Sequence, residues 1–105
     1  INELELHDAI IKSTHINYEA KVVEIKMVAY VNSNDASRCP LLMTFSDVES
    51  FHEISNFRSL DKNSFAGNVN YWIPAFDKNT TYIYLSDGCL AIQATSIDIR
   101  WLDSF

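Results

Sequence analysis

The sequence predicts an all-β domain, either a two-sheet antiparallel sandwich or a partly open barrel of six to eight short strands with at most one short helix. Apolar and polar residues alternate with a period of two over most of the chain. Turn-forming residues separate these stretches at short intervals. The chain has 105 residues, of which 48% are hydrophobic, with no internal repeat or linker. We therefore expect residues 1–105 to form a single domain with one core.

The first two strands are predicted by β-branched residues and by alternation. Residues 9–16 are rich in Ile and Thr, and residues 17–21 break this pattern as a turn. Residues 23–31 then place apolar side chains at almost every second position, which is typical of a half-buried strand with one solvated face. The polar residues 32–38 predict a loop.

The middle of the chain is less regular. Pro40 suits the start of a strand, and Leu41, Met43 and Phe45 then alternate with polar residues. The apolar residues between positions 48 and 57 predict either another strand or a strand that runs into a short helix near residues 59–65. Ser59 is the expected N-cap of that helix.

The last third predicts three strands. Residues 67–73 form the first and residues 82–85 the second, and the segment Ser86-Asp87-Gly88 closes a tight hairpin. The final strand changes parity near residues 95–96, so we expect a bulge or a bend there. Trp72 and Trp101 each lie in a predicted strand and are expected in the core.

The charge balance favours one class of partner. The formal net charge is −6, from 14 acidic and 8 basic residues. Such a surface repels phosphate backbones and anionic lipids, so we expect binding to neither nucleic acid nor membrane. A basic protein partner is favoured, because opposite potentials steer encounter. The alternative interpretation is that the charge serves solubility alone.

Two groups of residues are candidates for a binding surface. Tyr82 and Tyr84 share one face of their strand, and Tyr is enriched at binding hot spots. The alternative is that they pack against Tyr71 on a neighbouring strand. The second group is acidic and would form a patch that mimics phosphates, or else a solvated face. Its members are Asp47, Glu49, Glu53 and Asp61.

Residues with catalytic chemistry are sparse. No Arg stands beside His7, His15 or His52, although phosphate chemistry usually needs a cation near the reacting group. A small hydrolase that uses His15 or His52 with a carboxylate is the enzymatic alternative. Two glycines exclude a glycine-rich phosphate cradle. Cys39 and Cys89 lack metal-ligand spacing, so we expect free thiols, no metal, no cofactor and no enzymatic activity.

Three segments carry a resemblance to a known group of proteins. Leu6-His7-Asp8-Ala9 resembles the L-H-D-(A/S) start of a group of small bacterial β-proteins. Gly67-Asn68-Val69 with Trp72 resembles their G-N-(I/V)-x-x-W segment, and residues 83–92 are similar to their late hairpin with its D-G turn. Many of these proteins are immunity proteins, encoded beside polymorphic or contact-dependent growth-inhibition toxins.

The resemblance implies a cytoplasmic antitoxin that binds its cognate toxin domain and occludes the active site of that toxin. The acidity of the chain favours a basic toxin, and we expect a nuclease, whose cleft must hold phosphates. The resemblance itself identifies no interface residue. The alternative to this reading is a small ligand- or peptide-binding β-module, in which Tyr82 and Tyr84 stack on a sugar or a peptide.

Overall fold

The computed structural model describes residues 4–32, 34–63 and 67–105. Within these residues the elements are β1 (Ile10–Asn17), β2 (Val22–Ala29), β3 (Cys39–Ile54), α1 (Phe57–Lys62), β4 (Val69–Ile73), β5 (Thr80–Leu85) and β6 (Gly88–Trp101). All described strands pair antiparallel in one six-stranded sheet, in the order β1-β2-β3-β6-β5-β4. The prediction of an all-β chain with one short helix is confirmed. The two-sheet sandwich is not confirmed.

Two long strands, β3 and β6, hold the sheet together. They have 16 and 14 residues, against about 5–6 for an average strand. The prediction of short strands is therefore wrong for both. They pair with each other from Leu41 and Trp101 to Ile54 and Cys89. The first half of β3 also pairs with β2, and the first half of β6 also pairs with β5. The sheet thus has two halves that share β3 and β6.

The sheet bends where β3 and β6 cross from one half to the other. Asp47 has a φ of 53° and accepts a 2.7 Å hydrogen bond from the Thr95 hydroxyl. Both strands change face here, because Phe45 and Val48 both contact the core although they are three residues apart. Ala94 and Ile97 do the same in β6, so the predicted change of parity near residues 95–96 is confirmed. A further register shift follows in β3 between Val48 and Ser50.

The core lies between the inner faces of the two halves. Alternation dictates its composition, because every second side chain of a strand points to the same side. Trp72 is buried as predicted, and its indole N–H donates to the Leu4 carbonyl at 2.8 Å. Trp101 is 37% exposed, so the prediction that it lies in the core is wrong. The fully buried residues of the strands include Val23, Ile25, Met27, Leu41, Met43, Phe45, Val69, Ile83, Leu90 and Ile92.

The two edge strands of the sheet meet at one end. The Ala9 carbonyl accepts hydrogen bonds of 3.0 Å from the backbone N–H groups of Asn68 and Val69. Gly67 makes this approach possible. Its φ is +118°, and a Cβ at this position would lie 2.6 Å from the backbone of Asp8. Only glycine tolerates that conformation and that proximity.

The helix and the last hairpin differ in detail from their predictions. The N-cap of α1 is Asn56, whose side chain accepts a 3.0 Å bond from the Ser59 N–H, so the prediction of Ser59 as the cap is wrong. Residues 64 and 65 of the predicted helix lie outside the described residues. The β5–β6 hairpin forms as predicted, with Leu85 opposite Gly88. Gly88 is required because a Cβ there would overlap the Ile54 carbonyl oxygen.

Candidate interaction surface

The candidate site lies on the outer face of the half of the sheet formed by β4, β5, β6 and the end of β3. The strand register places two rows of four side chains across these strands. We call these eight residues the tyrosine face. One row is Tyr71, Tyr84, Cys89 and Ile54, and the other is Ile73, Tyr82, Ala91 and His52.

The local sequence of β5 directs its tyrosines outward. Thr81, Ile83 and Leu85 are buried on the inner face of the strand, so the two tyrosines between them must point away from the core. The same alternation in β4 places buried Trp72 on the inside and its neighbours Tyr71 and Ile73 on the outside. The exposure of the tyrosines is therefore a direct consequence of burying the residues beside them.

The three tyrosine rings form a continuous stack. The ring centroids of Tyr71 and Tyr84 are 4.7 Å apart, and those of Tyr82 and Tyr84 are 5.9 Å apart. Tyr84, in the middle, is half-buried, whereas Tyr71 and Tyr82 are 53% and 39% exposed. The two interpretations offered by the sequence are therefore compatible. The tyrosines pack against Tyr71, and they still present a large aromatic surface to solvent.

Small residues in β6 give the tyrosine face a shallow channel. Cys89 and Ala91 lie between the tyrosines of β5 and the residues His52 and Ile54 of β3. Strands are about 4.8 Å apart, so the two walls of the channel are separated by about 10 Å. The β3 wall combines the apolar side chain of Ile54, which is 71% exposed, with the exposed imidazole of His52. This shape suits an element of another protein that lies along the strands.

Tyr84 and Cys89, two neighbouring members of the tyrosine face, are uncharged at neutral pH. Desolvation by the surrounding rings, followed by the proximity of Tyr71, Cys89 and Tyr82, raises the pKa of Tyr84 above its usual 10.0. Burial raises the pKa of the Cys89 thiol above its usual 9.0. Both groups therefore keep their protons. A partner can contact these two side chains without the cost of removing a charge from water.

The structure brings together two of the four predicted acidic residues. Asp47 and Glu49 lie at the bend, where Lys78 Nζ is 3.0 Å from Glu49 Oε1. A hydrogen bond and the charge of Glu49, with a smaller contribution from Asp47, raise the pKa of Lys78. Glu53 lies near the end of β3 and accepts a hydrogen bond from the Ser55 hydroxyl, whereas Asp61 lies on α1. All four are exposed, and the first three belong to β3, where Glu53 lies near the far end of the strand from the bend.

The sequence predicts only Tyr82 and Tyr84 as binding residues, so six of the eight residues of the tyrosine face are missed. Tyr71 was considered only as a packing partner, although its alternation with Trp72 is a signal that Tyr71 and Ile73 point outward. His52 and Ile54 carried no such signal. Their orientation depends on the register shift between Val48 and Ser50, and periodicity cannot locate such a shift.

The three histidines lie at different places in the sheet. His7 Nδ1 is 2.9 Å from the Asn70 carbonyl oxygen, and its Nε2 is 3.4 Å from Asp8. His15 is opposite Glu24 in the β1–β2 ladder, and His52 belongs to the tyrosine face.

Metal-binding groups and thiols give no further site. Over residues 4–32, 34–63 and 67–105, no group of three His, Cys, Asp or Glu side chains is arranged to hold a metal ion. Cys39 and Cys89 are both free thiols, at the start of β3 and of β6. In the same part of the chain, no helix has the length and apolar character needed to cross a bilayer.

Comparison with known proteins gives no relative. No family model matches the chain, no curated protein is significantly similar in sequence, and no solved structure matches the fold. The interpretation of the tyrosine face therefore depends on its own geometry and chemistry.

Proposed function

We propose that this chain is an immunity protein, an antitoxin that binds a cognate bacterial toxin domain in the cytoplasm and occludes the active site of that toxin. The protein needs neither a catalytic residue nor a cofactor for this function. The observation that carries the proposal is the tyrosine face, an exposed aromatic and aliphatic surface on four hydrogen-bonded strands. Tyrosine is enriched in the central part of protein interfaces, and exposed apolar patches commonly mark binding sites.

The tyrosine face suits tight binding because its side chains are already ordered. An interface normally loses about 0.5–1.5 kcal/mol for each flexible side chain that becomes fixed on binding. The stacked rings of Tyr71, Tyr84 and Tyr82 already restrict one another. Hydrogen bonds between Ala9 and Asn68 join the two edge strands of the sheet near one end and support this rigidity. For this reason we describe the scaffold as a partly open barrel.

The charge of the chain favours a basic toxin, and a nuclease in particular. The net charge is −6, and the cleft of a nuclease is basic because it holds phosphates. Asp47, Glu49, Glu53 and Asp61 contribute exposed negative charge outside the tyrosine face. We assign the tyrosine face to affinity and these carboxylates to attraction at long range, since exposed charges act chiefly on the association rate.

The proposal is tested by mixing the purified protein with the basic toxin domain encoded by the neighbouring gene. We expect stoichiometric inhibition of toxin activity and a dissociation constant in the nanomolar range by calorimetry. Amide shifts of the labelled protein should map the interface to the tyrosine face. The proposal fails if the neighbouring gene encodes no toxin and no basic toxin domain binds at micromolar concentration.

A small peptide-binding module is the alternative, and the channel over Cys89 and Ala91 is the observation that favours it. In that case Tyr82 and Tyr84 stack on a short peptide or a sugar instead of a folded domain. Screening against peptide and glycan arrays separates the two functions. A short ligand that binds as tightly as any folded toxin domain would favour the module.

A further inference from the structure

The edge of β3 beyond the bend is covered on one side only. β2 pairs with β3 from Cys39 to Ser46, and β3 then continues for eight residues to Ile54 with β6 beside it. On the other side of this stretch no described strand is present. Close to the bend, the Val48 N–H donates a 2.9 Å hydrogen bond to the Lys21 carbonyl, so the uncovered part of the edge begins after Val48. An uncovered strand edge is a template for pairing with another chain.

A groove lies directly beside this edge, between β3 and the end of β1. Its volume is about 280 Å³. Ile16, Val48 and Phe51 supply apolar walls, and the ring of Tyr18 is 84% exposed at the mouth. The groove has room for an apolar side chain of a strand added to β3. Strand addition uses main-chain bonds for affinity and such pockets for specificity.

The charges around the edge select the occupant. β3 contains three carboxylates and no Lys or Arg, and Glu19 lies in the adjacent turn. Two cations, Lys21 and Lys78, offset these four carboxylates in part. Opposite charges across strands stabilise pairing and like charges oppose it. A second copy of this acidic chain is therefore disfavoured, and a basic strand is favoured.

We infer that the free edge of β3, from Glu49 to Ile54, binds an extended segment of a partner protein in which Lys or Arg alternates with apolar residues. The segment adds a seventh strand to the described sheet, and one of its apolar side chains enters the groove beside Phe51. This site adjoins the tyrosine face and shares the strand positions of His52 and Ile54 with it, but its groove lies on the opposite side of the sheet, because Phe51 and Glu53 are opposite inward-facing Ile92 and Leu90. It does not depend on the partner being a toxin.

The test uses synthetic peptides of about eight residues, which is long enough to span the edge. The first peptide alternates Lys with Val or Ile. A second replaces each Lys by Glu, and a third keeps the basic sequence but carries N-methyl groups on alternate peptide bonds. We expect saturable binding of the basic peptide, with amide shifts at residues 48–54 and 16–23. Binding of the acidic and N-methylated peptides should be at least tenfold weaker. Equal binding of the N-methylated peptide, shifts confined to β4, β5 and the first residues of β6, or no binding of the basic peptide would each overturn the inference.

Two exposed substitutions test the same site from the protein side. Glu53→Lys should weaken binding of the basic peptide about tenfold and improve binding of the acidic one, because it replaces one negative charge of the edge by a positive one. Tyr18→Ser should weaken the basic peptide by removing part of the groove. The matched control is Asp98→Lys, which makes the same change in net charge on the outer face of β6, away from the groove. If Asp98→Lys weakens the peptide as much as Glu53→Lys, the attraction is nonspecific and the inference is wrong.

Discussion

The two halves of the sheet present very different outer faces, although cross-strand pairing arranges the side chains of both in the same way. In the half that contains β1 and β2, two rows of four side chains also cross four strands. These rows are Ser13, Lys26, Leu42 and Arg100, and His15, Glu24, Thr44 and Asp98. Acidic, basic and hydroxyl groups occupy most of these positions, which is typical of a solvated face. The corresponding positions of the tyrosine face hold three tyrosines, two isoleucines, an alanine, a cysteine and a histidine.

The comparison shows that folding does not require tyrosines at the outward-facing positions of the sheet. The polar half shows that hydrophilic side chains satisfy the same outer positions of the same sheet. Leaving apolar surface in water forgoes roughly 25 cal/mol for each Å² that would otherwise be buried. An exposed apolar surface of this kind is typical of a binding site, which is why we propose a partner that covers it. The following predictions test this contrast between the two halves.

The largest effect is expected from Gly88→Ala, which disrupts the tyrosine half at its hairpin. A Cβ at Gly88 would overlap the Ile54 carbonyl, so the backbones of β3 and β6 must separate. We expect the free energy of unfolding to fall by about 3 kcal/mol, the size typical of serious backbone and packing defects. Denaturant unfolding measures this loss. Ser86→Ala in the same hairpin is the control and should change stability by less than about 0.5 kcal/mol. A stable Gly88→Ala variant would show that the two strands can move apart freely.

The next effect concerns binding and compares the two outer faces directly. Tyr84→Ala removes the central ring of the stack, and we expect affinity for the toxin domain to fall by about 30-fold or more, as for an interface hot spot. Thr44→Ala makes a change to alanine on the polar half and should alter affinity by less than about twofold. Calorimetric titration of both variants gives the comparison. Equal losses, or no loss for Tyr84→Ala, would move the interface away from the tyrosine face.

The sequence predicts the parts of this contrast that depend on simple alternation. The sequence predicts β2 because it buries one face only and β1 because it is rich in β-branched residues, and the orientation of Tyr82 and Tyr84 in β5 follows from the buried residues beside them. The polar half likewise follows from the alternation in β2. Local periodicity is sufficient wherever a strand keeps one register along its length.

What the sequence could not predict depends on the bend. Asp47 and the register shift after Val48 change which residues face outward, so Ile54 could not be assigned to the tyrosine face. The exposure of Trp101 has a related cause. Pairing between β5 and β6 stops at Thr80 and Gln93, so the second half of β6 has a described neighbour on one side only. Long-range pairing decides these positions, and no local pattern encodes it.

A smaller effect is expected from the acidic residues outside the tyrosine face. Glu53→Lys combined with Asp61→Lys should lower the association rate with a basic toxin by about three- to tenfold and reduce its dependence on salt. The dissociation rate should change little, because both side chains are exposed. Stopped-flow measurements at two salt concentrations separate the rates. Glu24→Lys combined with Asp98→Lys on the polar half makes the same change in net charge and is the control, and an equal effect there would mean that net charge alone controls encounter.

The smallest effect concerns pH and again distinguishes the two halves. The pKa of Tyr84 is raised above 10.0 in the folded protein, first by desolvation and then by the neighbouring Tyr71. The unfolded chain therefore loses this proton first as pH rises. Its contribution to stability is complete below pH 10 and is lost as pH rises through the folded pKa. Tyr71→Phe removes one ionisable neighbour, so the pKa of Tyr84 should move down toward its usual value, as followed by NMR titration of labelled tyrosine. An unchanged titration of Tyr84 in Tyr71→Phe would contradict an electrostatic coupling within the stack. Because Tyr84 keeps its proton up to that range, the part of the affinity that depends on Tyr84 should be constant between neutral pH and pH 9.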